Sequence, residues 1–163
     1  MIFVTVGNMD PFDRLVRTVD DWAADRDPDE VFVQIGNGRY RPQHCRYVDF
    51  MSPIRFRETF AQADFVVSHA GMGTIITALE QAKPLVVMPK RASLGEQRNE
   101  HQLATVRRFR RSTRIRVAEN EQELLEVLAD LAASSPSPAD AIQQTEEWNP
   151  DPSLIGFVRD FIG

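Results

Sequence analysis

Short runs of β-branched and apolar residues alternate along this chain with stretches in which apolar residues return every three or four positions. Ile2 to Val6, Val31 to Ile35, Tyr47 to Phe50, Asp64 to Ser68, Leu85 to Met88 and Arg114 to Val117 read as strands. Helical spacing groups Leu15, Val16, Val19 and Trp22 after Pro11-Phe12, and Ile54, Phe56, Phe60 and Ala63 after Ser52-Pro53, where Ser52 suits an N-cap and Pro53 the first helical position. Further helices are expected over Thr74 to Gln81, Glu96 to Phe109 and Asn120 to Ala132. The alternation predicts an α/β domain: a Rossmann-like parallel sheet with helices on both faces, right-handed crossovers, and ligands at the carboxyl ends of the strands.

One junction carries more chemistry than the others. Ser68-His69-Ala70-Gly71-Met72-Gly73-Thr74 joins the fourth strand to the helix that follows it. The first amides of a helix lack intrahelical partners and sit at the positive end of its dipole, so such a turn suits a phosphate. Gly71 and Gly73 let a ligand approach the backbone, Thr74 offers a hydroxyl, and His69 can present a ring N–H to the same oxygens. Glycines in a strand-to-helix turn also serve tight packing alone, and a histidine ending a strand is often only a hydrogen-bonded structural residue. The turn by itself leaves both readings open.

Composition narrows the setting. With 163 residues, 42% hydrophobic, the chain suits one well-buried domain. We expect residues 1–133 to form it, with a Ser/Pro/Ala/Asp/Gln-rich linker over 134–152 and a C-terminal helix over 153–163 whose apolar residues Leu154, Ile155, Phe157, Val158, Phe161 and Ile162 dock on the domain or on another chain. A net charge of −5 argues against general nucleic-acid binding. A lone cysteine, Cys45, excludes an internal disulfide and fits a reducing compartment, with a partly buried thiol as its plainest role. No run approaches the roughly 20 apolar residues of a membrane helix, so a cytoplasmic protein is expected. Arg107, Arg108, Arg110, Arg111, Arg114 and Arg116 form a basic cluster that reads either as a salt-bridged solvated face or as a contact for anionic lipid head groups or a lipid diphosphate.

Taken together and in order, Phe3-Val4-Thr5-Val6-Gly7, Pro11-Phe12-Asp13-Arg14-Leu15-Val16, the Ser68 to Thr74 turn, Lys83-Pro84-Leu85 and Glu96-Gln97-Arg98-Asn99-Glu100-His101-Gln102 resemble the C-terminal domain of glycosyltransferase family 28. The similarity is greatest to its small stand-alone members, the PssE-type subunits of bacterial exopolysaccharide synthesis and their eukaryotic counterpart in dolichol-linked oligosaccharide synthesis; the two-domain MurG is a more distant relative. This resemblance implies the donor-binding half of a GT-B fold, a UDP-sugar as substrate with no cofactor or metal, and a membrane-anchored partner subunit that binds a lipid-linked acceptor. The protein would then sit peripherally at the inner face of the membrane through that partner, and an isolated chain could pair with itself.

By the same resemblance, the donor diphosphate lies against the amides of Gly71, Met72, Gly73 and Thr74, with His69 stabilising the leaving group. Gly7 and Asn8 face the interdomain cleft, and Glu96, Gln97, Asn99 and Gln102 match the segment that contacts the sugar hydroxyls. The family's ribose-binding glutamate is replaced here by Thr77, for which Glu80 is a nearby substitute. The catalytic base is expected on the partner, with His69 and His101 as secondary candidates. The competing reading is a non-catalytic nucleotide-sugar-binding or interaction module that retains the half-fold.

Overall fold

A computed structural model describes residues 1–133; the expected linker and C-terminal helix lie outside the described residues. The strands are β1 (Ile2–Thr5), β2 (Val31–Gln34), β3 (Arg46–Val48), β4 (Phe65–His69), β5 (Leu85–Met88) and β6 (Ile115–Val117), and the helices are α1 (Asp13–Trp22), α2 (Pro53–Gln62), α3 (Met72–Glu80), α4 (His101–Phe109) and α5 (Glu121–Ala133). All neighbouring strands pair in parallel, in the order β3-β2-β1-β4-β5-β6.

Alternation along the strands divides the core. Val4, Val67, Val86 and Met88 point to one face and pack with Leu15, Val16 and Val19 of α1 and Leu124, Leu128 and Leu131 of α5. Phe3, Val66, Leu85 and Val87 point to the other, against Phe60 of α2, Ile75 of α3 and Val106 and Phe109 of α4. Each such side chain contributes roughly 2 kcal/mol on leaving water, so both faces of the sheet must be covered, as in other parallel sheets. Ser52 caps α2 by accepting from Arg55 N, with Pro53 opening the helix.

Most boundaries fall within a residue of the sequence expectation, and three elements depart in a way that bears on the site. β3 runs over Arg46–Val48 rather than 47–50, and Phe50 is left exposed beyond its end. α3 starts at Met72 rather than Thr74, because Gly71 is its N-cap. α4 starts at His101 rather than Glu96. Residues 96–100 form bends, with side chains bonded outside their own segment's helix: Glu96 to Arg14 of α1 and the Arg91 amide, Gln97 to the Lys90 carbonyl.

Candidate functional site

The strand order reverses direction between β1 and β4: β2 and β3 are added on one side of β1, β5 and β6 beyond β4 on the other. In open α/β sheets such a switch point leaves a crevice outside the carboxyl ends of the strands. Gly7 follows β1 and His69 ends β4, so both face this crevice.

The crevice is lined by a succession of close contacts. A Cβ on Gly36 would lie 2.8 Å from Gly7 O, one on Gly7 would lie 2.7 Å from His69 Cε1, and one on Gly71 would lie 2.1 Å from His69 Nε2. Gly7 also adopts φ +79°, which side chains of L residues disfavour. The imidazole is therefore wedged between the loop after β1 and the start of α3, with Nε2 beside the helix. Its Nδ1 lies 3.1 Å from Ser68 Oγ. Burial, together with the nearby Lys90 ammonium, pushes His69 down to about 4 despite a hydrogen bond with the Thr5 backbone, so the ring is neutral at pH 7.

At the start of α3 the first helical bond runs from Ile75 N to Gly71 O, leaving the amides of Met72, Gly73 and Thr74 without helix carbonyls. A Cβ on Gly73 would meet nothing within 4 Å, so this turn of backbone faces open space. Met72 contributes only its amide, since its side chain is buried in the core below. Thr74 is buried, Glu80 exposed, and the Thr77 hydroxyl donates to Gly73 O at 2.9 Å.

Beside this turn a cavity of about 700 Å³ opens between Gly71 and Met72 on one wall and Gln97, Asn99, His101 and Gln102 on the other. Gln102 Oε1 accepts from both Ala70 N (3.1 Å) and Lys90 N (3.0 Å), tying the ends of β4 and β5 together. Gln97 Nε2 donates to Lys90 O, and Asn99 Oδ1 accepts from His101 N. Glu96 points the other way, with its carboxylate gripped by Arg14 Nε (2.7 Å) and Nη2 (2.9 Å). Asn8 Oδ1 accepts from Gln34 Nε2, and Gln34 Oε1 accepts from Thr5 Oγ1, a polar chain running under the loop after β1. The structure thus brings Gly7, His69, Gly71, Met72, Gly73 and Thr74 into one crevice with Gln97, Asn99 and Gln102 along its rim, while Asn8 and Glu96 spend their side chains on neighbours.

Two residues of this region escape sequence reasoning. Lys90 is 3% exposed, and its Nζ donates to Val6 O (3.0 Å) and Asp10 O (2.6 Å). Gln34 is 2% exposed. A lysine two residues past an apolar strand, or a glutamine inside one, reads as solvated, and only the placement of the adjoining loop shows otherwise.

Elsewhere, the basic cluster is partly neutralised: Arg110 pairs with Glu119 at 2.6 Å and Arg116 with Asp130 at 2.7 Å. Cys45 is buried as expected, and burial with the adjacent Asp20 carboxylate pushes its thiol up to about 12. Met9, Phe50, Ile54 and Leu94 are exposed apolar side chains on the segments after β1, β3 and β5, hence all at the carboxyl end of the sheet. No helix among the described residues is long and apolar enough to cross a membrane.

An open parallel sheet of this order, with helices on both faces and glycine turns gathered at the switch point, is a Rossmann-like fold of the kind found in the C-terminal domains of GT-B glycosyltransferases. The model of the glycosyltransferase family 28 C-terminal domain matches residues 1–152, and the chain belongs to that family. Among curated relatives, the UDP-N-acetylglucosamine transferase subunit ALG13 of Mus musculus is 35% identical over 96 residues, 53% of this chain and 8% of the relative. Its Homo sapiens counterpart is 32% identical over 114 residues, 63% of this chain and 9% of the relative. The chain therefore spans less than a tenth of the length of these relatives. Among solved structures, the glycotransferase of kitacinnamycin superposes with a TM-score of 0.58 at 20% identity, covering 99% of this chain and 40% of that one. The solution structure of ALG13 gives 0.55 at 19% identity, covering 96% and 94%.

Proposed function

We propose that this chain is the donor-binding subunit of a two-component inverting glycosyltransferase, which transfers a sugar from a UDP-sugar to a lipid-linked acceptor in exopolysaccharide or glycan synthesis. The observation that carries the reading is the crevice at the β1/β4 switch point, where the free amides of Met72, Gly73 and Thr74 stand beside the Nε2 edge of a neutral His69. The relatives named as subunits of a UDP-N-acetylglucosamine transferase support the same donor class.

In the transfer, the acceptor hydroxyl oxygen forms a bond to the anomeric carbon as the bond from that carbon to the diphosphate oxygen breaks. The acceptor proton passes to a base on the partner subunit, and the electron pair of the broken bond stays on the departing UDP. Charge growing on the diphosphate meets amide dipoles already fixed by α3, which need no reorganisation. A neutral His69 carries one N–H, bonded here with the Thr5 backbone, which would turn to a phosphate oxygen as the donor binds. Gln97, Asn99 and Gln102, along the cavity rim, are the groups for the sugar hydroxyls, and no cofactor enters. Met9, Phe50, Ile54 and Leu94, exposed on the same face, are suited to cover by a membrane-anchored partner that supplies the acceptor side. That partner would hold this chain at the inner face of the membrane.

A second reading is favoured by one observation. Thr77, standing where the family's ribose-binding glutamate is expected, spends its hydroxyl on Gly73 O, and Glu80 is exposed a turn away. A non-catalytic module that has lost donor binding would look this way. Calorimetric titration with UDP and a panel of UDP-sugars, with and without the partner, separates the two. Saturable binding lost in Gly71→Asp supports the donor subunit, and its absence in both settings supports the module.

A further inference from the structure

We infer that Lys90 is the fixed positive charge against which the donor diphosphate is held, acting through the loop after β1 and through His69 rather than as a catalytic residue; this rests on the donor-site reading above. A buried ammonium is costly unless a counter-charge accompanies it. Yet both hydrogen bonds of Lys90 Nζ go to neutral carbonyls, Val6 O and Asp10 O, and no carboxylate lies within ion-pair distance among the described residues. The carboxylates that act on it, Asp10 and Glu96, do so at longer range, and the Phe12 ring, at 5.7 Å, and the neutral His69 imidazole also lie near it. Glu96 is already bound to Arg14.

The position of this unpaired charge is specific. The carbonyls it holds begin and end the Gly7-Asn8-Met9-Asp10 loop, its own amide shares Gln102 Oε1 with Ala70 N at the entrance to the α3 turn, and its field reaches His69. Its ammonium thus backs the loop after β1, and its backbone is tied through Gln102 to the residue that leads into the α3 turn. A diphosphate bound there would supply the counter-charge that the Val6 and Asp10 carbonyls do not.

The consequence is linkage. Burial lowers Lys90 to about 8; an anion bound nearby favours the charged form and raises it, so binding takes up a proton near pH 8. By reciprocity, UDP binds less tightly as Lys90 loses its proton, by roughly tenfold for each unit by which binding raises its pKa.

The test is titration of the full chain, with its partner where the partner is required, using UDP at pH 8 in buffers of different ionisation enthalpy, together with affinity measured from pH 7 to 9. The expected result is uptake of a fraction of a proton and affinity that declines through pH 8. In Lys90→Arg, whose charge does not titrate, UDP still binds, uptake disappears and the pH profile is flat. Binding by the unaltered chain without uptake and with a flat profile overturns the inference and leaves the donor site standing. Uptake that persists in Lys90→Arg also overturns it, by assigning the proton to another group. Failure of UDP to bind under either condition overturns the donor-site reading and the inference with it.

Discussion

His69 Nε2 occupies the space that a side chain on Gly71 would need: an added Cβ would stand 2.1 Å from it. Gly71 has φ −86°, which any residue can adopt, so the requirement for glycine comes from the imidazole and not from backbone strain. Gly71→Ala should therefore cost about 1–3 kcal/mol through overpacking and weaken UDP binding by displacing the ring. In Gly71→Ala/His69→Ala the space is free, and denaturant melts should show a double variant more stable than the sum of the single losses predicts. Strict additivity would mean that the two residues do not share this contact.

Acid should find the same histidine. Its pKa in the fold is about 4 against an ordinary 6.5, so the unfolded chain takes the proton first. The stabilisation is fully present above pH 6.5 and is lost as pH falls from there toward 4; a shift of this size corresponds to roughly 3 kcal/mol. Thermal melts between pH 7 and 4 should show this decline, and His69→Gln should flatten it. A variant with the unaltered slope would assign the acid sensitivity elsewhere.

A second titrating centre lies far from the crevice. Asp20 of α1, fully buried, accepts from Tyr40 Oη (2.7 Å), Gln43 N (2.8 Å), His44 N (2.8 Å) and Cys45 N (3.1 Å). Burial alone would raise its pKa, but these donors outweigh it and hold the carboxyl below its usual value. Its contribution is present above the ordinary aspartate range and is lost only as pH falls below it, a window lower than that of His69. Asp20→Ala leaves the loop before β3 without its acceptor and should cost about 3–5 kcal/mol. Urea unfolding provides the measurement; a loss under 1 kcal/mol would show that the loop finds other partners.

The strands, their alternation and the glycine turns were legible in the sequence because each is a local pattern: Val66 and Val67 announce opposite faces, and Gly71 precedes a helical repeat. What could not be read was spent at long range. Asp20 sits on a helix face beside Asp21 and reads as solvated until the loop of 40–45 folds over it. Glu96 and Gln97 have the spacing of a helix start, but Arg14, Arg91 and Lys90 draw their side chains and backbone into bends. Lys90 reads as part of the polar loop that follows β5. Asp20 and Lys90 are buried, and Glu96 is held by Arg14, through segments distant in sequence, while Gln97 bonds within its own loop; periodicity registers neither.

On the donor-site reading proposed above, the Arg14–Glu96 pair decides how Glu96 would bear on the sugar. Both side chains are nearly covered, at 14% and 11% exposure, and the contact is bidentate, which an arginine fork makes and a lysine cannot. Arg14 also donates to Pro89 O, so α1 holds both ends of the 89–96 segment. If the carboxylate serves by fixing that segment, Arg14→Gln and Glu96→Gln should lose the same affinity for a UDP-sugar, about tenfold, with a double-mutant coupling of about 1–2 kcal/mol in stability. If it bonds the sugar directly, Glu96→Gln should lose binding to the UDP-sugar but not to UDP, while Arg14→Gln weakens both. The Arg14 grip favours the first outcome, since a carboxylate bound at two nitrogens and an amide has little acceptor capacity left for a hydroxyl.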